Sequence, residues 1–152
     1  MFTRRFEDSL AEFELAFRLN ETKEVRGARP DGTLAAAEVR VAGIVPFLVM
    51  KGLTMGGPRR RYRRKDAYDV FYCVDTYPGG AAGLAEAFRP HLGDPLVRAG
   101  LAAIRRQFNS PYGTGPIYVA DRRGVEDRAA RDLLERDAFQ KVDSFLRRLG
   151  VE

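Results

Sequence analysis

At 152 residues, with 45% of them hydrophobic and 31% charged, the chain has the size and composition of one soluble globular domain with a real core. One cysteine, Cys73, excludes an internal disulfide and a cysteine metal cluster, no apolar run reaches the ~18 residues that span a bilayer, and the opening MFTRRFEDSLAEFE has no apolar signal core, so a cytoplasmic protein without a membrane partner is expected. The net charge of +5 is concentrated: Arg59, Arg60, Arg61, Arg63, Arg64 and Lys65 supply six of the 26 cations, and the remaining 20 face 21 acids.

In chain order, residues 2–11 are predicted to form a short helix, with Phe2, Phe6 and Leu10 four apart. Phe13, Leu15, Phe17 and Leu19 then alternate with polar residues, the pattern of a half-buried strand. The segment from Gly27 to Gly32 reads as a turn, and Leu34 to Val41 as a second strand with Val39 and Val41 on one face. The two strands suggest an antiparallel hairpin.

Pro46 suits the first turn of a helix, where its missing N–H needs no partner. That helix continues through Phe47, Leu48 and Met50 to Leu53, and Gly56-Gly57-Pro58 stops it. Asp66 reads as the N-cap of the next helix, whose apolar face is Ala67, Val70, Phe71 and Val74 and which ends at Tyr77 to Gly80. Ala81 to Phe88 and Pro95 to Phe108 read as two further helices, Asn109 to Pro116 as a loop, and Val125 to Leu149 as a final amphipathic helix. In that last helix Ala129, Leu133, Ala138, Val142, Phe145 and Leu149 recur at helical spacing. One hairpin followed mostly by helices is an α+β domain, with a partial sheet at 1–45 and a helical part at 46–152.

The segment that carries chemistry runs from Lys51 to Asp69. Asp66 and Asp69 are three apart, which on a helix places both carboxylates on one face about 4.5 Å apart along the axis. Lys51, one helix earlier, reaches the same place if the two helices pack antiparallel. A carboxylate there can accept a proton from a substrate hydroxyl, a lysine can hold a phosphate as a point charge, and the arginines can clamp a triphosphate or a nucleic acid. The same residues also fit a plainer role: a helix cap, an exposed ion pair and a solvated arginine loop.

The run VRVAGIVPFLVMKGLTM, the cations from Arg59 to Lys65, and KDAYDVFYCV together resemble the later half of an AbiEii-type nucleotidyltransferase, in a stretch covering about residues 39–77. In that family a strand leads into a helix with a lysine, then a basic loop, then an Arg/Lys-Asp-x-x-Asp segment opening another helix. Lys51 matches the lysine, and Lys65, Asp66 and Asp69 match the second segment. The resemblance implies a polymerase-β-like core with a helical C-terminal part, magnesium (Mg2+), and transfer from an NTP to an acceptor such as RNA. It also implies catalytic roles for Lys51, Asp66 and Asp69, phosphate binding at Arg59, Arg60, Arg61, Arg63, Arg64 and Lys65, and a cognate antitoxin as a partner.

The chain departs from the family pattern in having no Gly-Ser pair and no Asp-x-Asp, so the metal-binding first half is expected to be missing. Glu12 and Glu14 would share one strand face and can either stand in for that pair or be exposed partners of Phe13 and Leu15. Without the metal half, the alternative is a non-catalytic domain that binds nucleotide, nucleic acid or an antitoxin through loop 59–65. His91 has no second histidine and reads as a loop residue, Cys73 as a small buried hydrophobe, and Tyr62 and Tyr68 either as base-stacking or as boundary aromatics.

Overall fold

A computed structural model describes residues 14–56 and 63–152. The chain is α+β, one antiparallel hairpin followed by helices. A helical stretch α1 at 14–18 precedes strands β1 (Asn20–Ala28) and β2 (Leu34–Ala42). Helices α2 (Ile44–Gly56), α3 (Arg63–Thr76), α4 (Gly80–Phe88), α5 (Pro95–Gln107), α6 (Thr114–Arg123) and α7 (Arg128–Arg148) follow, with a 3-10 turn at Arg89–His91. These residues fall into two compact units that divide between Phe47 and Leu48. No helix among the described residues is long and apolar enough to cross a membrane.

In the first unit, the expected strand around Phe13 to Leu19 is a correction: 14–18 is helical, and Leu19 N donates to Leu15 O at 3.0 Å. Leu15 and Leu19 are four apart, a spacing that fits a helix as well as alternation does, and Glu, Leu, Ala and Arg are good helix formers. Residues 2–11 lie outside the described residues. The hairpin pairs Asn20 with Ala42 through Ala28 with Leu34. Its turn is fixed by Asp31, whose Oδ1 accepts from the N–H and the hydroxyl of Thr33 at 2.9 and 2.7 Å, and by Gly32 at φ 84°. All of β1 is exposed, so no apolar alternation announces it.

The second unit is built on a core that includes Leu48, Val49, Phe71, Phe88, Ile104, Phe108, Val119 and Phe145. Phe88 and Phe145 meet edge to face with centroids 5.2 Å apart, joining α4 to α7. Helix α3 packs chiefly on α6 and also on α7. Helix α5 starts at a true cap: Asp94 Oδ1 accepts from Leu96 N at 2.8 Å, with Pro95 in the first turn. Asp127 caps α7 through Ala130 N at 2.8 Å, so that helix begins at Arg128, not Val125.

Further expectations in this unit are corrected. The loop from Asn109 to Pro116 gives way at Thr114 to helix α6. On α7, Ala138, Val142 and Phe145 are buried as expected, but Leu133 is 68% exposed and Ala129 is exposed. The helix therefore places its buried apolar residues along its later turns, from Ala138 on.

Helices α2 and α5 approach closely at two glycines. A methyl group on Gly52 would collide with the carbonyl oxygen of Gly100, and one on Gly100 would lie 2.9 Å from Val49 Cα. This contact fixes α2 beside the lysine that precedes Gly52.

Candidate functional site

Lys51 leaves α2 next to that glycine contact and meets α3 at its start. Its Nζ lies 2.7 Å from Asp66 Oδ1 and 2.8 Å from Asp69 Oδ2. Lys65 Nζ is also 2.8 Å from Asp69 Oδ2, and Thr54 Oγ1 donates to Asp66 Oδ2 at 2.9 Å. The structure thus brings Lys51, Asp66 and Asp69 together, with two ammonium groups balancing two carboxylates. Asp66 is 4% exposed.

Asp66 is not the N-cap expected from the sequence. The helix begins at Arg63, so Asp66 sits inside the first turn, and its carboxylate faces Lys51 and Thr54. Arg63, Arg64 and Lys65, expected in a loop, are helical.

Burial pulls the Lys51 ammonium down, but hydrogen bonds to Asp66 and Asp69, with their charge, outweigh it and hold the pKa above the ordinary lysine value. Burial likewise pushes Asp69 up, and hydrogen bonds from Lys51 and Lys65 reverse this and lower its pKa. The Cys73 thiol is pushed up to about 11 by burial and then by the Asp69 charge, so it stays protonated near neutral pH.

The fit of magnesium to this cluster is poor. Both Asp66 oxygens take protein donors, and Oδ2 of Asp69 takes two ammonium groups, so lysines stand where a divalent cation would need to bind. Among the described residues, no three His, Cys, Asp or Glu side chains gather as a metal site. Glu14 is in the helical stretch 14–18 and exposed, and Glu12 lies outside the described residues, so the strand that would have paired them is not formed at Glu14. His91 is in the 3-10 turn.

Of the basic run, Arg59, Arg60 and Arg61 lie outside the described residues, as does Tyr62, and Arg63, Arg64 and Lys65 form the first turn of α3. That turn meets the end of α6. Arg64 Nε is 3.4 Å from Asp121 Oδ2, and the Arg123 guanidinium lies 5.4 Å from the Tyr68 ring centroid. Asp121 is held at 2.6 Å by Arg131, which also pairs with buried Glu135 at 2.8 Å. Arg122 and Arg123 are exposed in the last turn of α6.

Sequence reasoning missed Arg122, Arg123 and Tyr72. The signal for the first two was present: Arg-Arg-Gly is a helix stop, and Gly124 adopts the left-handed φ of 65° that such stops use. Tyr72 reads as part of an apolar helix, yet it is 52% exposed.

A depression of about 790 Å³ is lined by residues that include Arg105, Arg106, Phe139, Asp143 and Arg147. Two of its arginines are already committed: Arg105 to Asp143 at 2.6 Å and to Val151 O, and Arg147 to Asp143 at 2.7 Å.

No protein-family model, curated protein or solved structure matches this chain.

Proposed function

We propose that the chain binds phosphate-bearing anions, a nucleoside triphosphate or RNA, on the face where the start of α3 meets the end of α6. One observation carries this reading. Arg122 and Arg123 stand exposed in the last turn of α6, which the Arg64–Asp121 and Arg123–Tyr68 contacts join to the start of α3. The nearby carboxylates Asp69 and Asp121 are taken by protein cations and do not stand open to repel phosphate. Three more arginines, Arg59 to Arg61, lie just before α3 in sequence.

In this reading Lys51, Asp66 and Asp69 hold the start of α3 onto α2. A second reading, nucleotide transfer of the AbiEii type to an acceptor such as RNA, is favoured by the convergence of those three side chains. It requires Lys51 to leave its carboxylates and metal-binding groups to come from outside the described residues.

The test is fluorescence anisotropy with labelled RNA and a labelled nucleoside triphosphate over a salt series. Binding should weaken steeply with salt. Arg122→Ala with Arg123→Ala should lower the affinity and flatten the salt slope by about 0.7 to 0.9 for each phosphate that the protein no longer neutralises. An affinity and slope left unchanged by the substitutions would mean that the cations are only solvated.

A further inference from the structure

Tyr72 breaks the pattern of its helix. Phe71 and Val74 beside it are buried, while Tyr72 leaves 52% of its surface in water. With ~100° between residues, Lys65, Tyr68 and Tyr72 lie on the side of α3 away from its buried Val70 and Val74, with Arg64 at its flank. The Tyr68 and Tyr72 rings are 6.1 Å apart and inclined by only 31°. Arg123 lies over the Tyr68 ring, so a guanidinium, a half-buried ring and an open ring follow one another along the helix.

The acids beside this row are neutralised. Asp69 is held by Lys51 and Lys65, each at 2.8 Å, Asp75 by Lys141 at 2.7 Å, and Asp121 by Arg64 and Arg131. A cationic end leading to an exposed aromatic ring suits a ligand that alternates phosphates with flat rings. A single-stranded nucleic acid has this character, because its bases are free to stack on protein rings. In a duplex the base faces are already covered.

We propose that this face of α3 is a platform for single-stranded nucleic acid, with Tyr72 stacking on a base while Arg123 meets an adjoining phosphate. The proposal rests on the phosphate-binding reading above and adds the strandedness of the ligand and the residue that selects it.

The experiment uses the full chain and four labelled probes: a short RNA strand of mixed sequence, the DNA strand of the same sequence, and the duplex of each. Either single strand, RNA or DNA, should bind at least about 10-fold tighter than its duplex. Tyr72→Ala should weaken single-strand binding by about 5- to 150-fold, the range set by removing one base stack. Because the ring carries no charge, that substitution should leave the salt slope unchanged. Tyr72→Phe keeps the ring and should keep the affinity, which separates stacking from a folding defect. Equal binding of strand and duplex, or an unchanged affinity in Tyr72→Ala, would overturn the platform. If Arg122→Ala with Arg123→Ala still weakens binding, only the platform falls. If neither set of substitutions matters, or no probe binds, the phosphate-binding reading falls with it.

Discussion

The Nζ of Lys51 lies 2.7 Å from Oδ1 of Asp66, a side chain 15 residues further on and 4% exposed. Removing the lysine would leave this carboxylate buried without its charged partner. Lys51→Met should therefore destabilise the protein by about 2–3 kcal/mol, between the cost of an exposed pair and that of a fully buried one. Urea unfolding measures this through the transition midpoint. A midpoint within error of wild type would show that the pair does not anchor α3.

The same cluster sets a pH dependence. Asp69 has a folded pKa below its ordinary value of 3.8, so its contribution is present above that value and is lost as pH falls through the folded pKa. Lys51 is raised above 10.5, so its contribution is present below that value and is lost as pH rises through the folded pKa. The stability difference between wild type and Asp69→Asn should be constant from about pH 5 to 9 and shrink below about pH 4. Denaturant titrations at several pH values measure it, and a difference that persists undiminished to about pH 2 would contradict the assignment.

Gly52 faces the Gly100 backbone, with no room for a methyl group. Gly52→Ala should cost about 1–3 kcal/mol by forcing α2 away from α5, despite the better helix propensity of alanine. Because the neighbouring residue is Lys51, the same substitution should also disturb the Lys51–Asp66 pair. A thermal midpoint equal to or above that of wild type would show that the helices separate freely at this point.

What the sequence made legible follows from where each signal lies. The apolar face of α3 was readable because a buried face leaves a period, and Ala67, Val70, Phe71 and Val74 are all buried, while Gly57 and Pro58 of the expected stop after α2 lie outside the described residues. The meeting of Lys51 with Asp66 and Asp69 was readable because a short connection between two helices constrains their faces. Strand β1 was not: Lys23 pairs with Glu21 at 2.7 Å on a fully exposed ribbon, and such a strand carries no apolar period. Asp66 was misread as a cap because aspartate near a helix start satisfies either role, and only the partner across the fold decides. Arg122 and Arg123 joined the basic face through tertiary packing of α6 on α3, which no local pattern shows.

The chain alone should not transfer nucleotide with magnesium at a useful rate. Phosphoryl transfer depends on positioning and on metal electrostatics, and the carboxylates of this cluster are already held by lysines. Incubation with labelled nucleoside triphosphates, magnesium and total RNA gives the readout. Robust label transfer that is abolished by Glu12→Gln with Glu14→Gln would contradict this and make that pair the metal site.

The central claim, that phosphate anions bind where α3 meets α6, is tested most directly by backbone amide chemical shifts during titration with a short single-stranded RNA. The largest changes should fall on Arg63 to Tyr72 and on Ala120 to Arg123. Changes centred instead on Arg105, Arg106 and Arg147, around the depression that they line, would place the site elsewhere and contradict it.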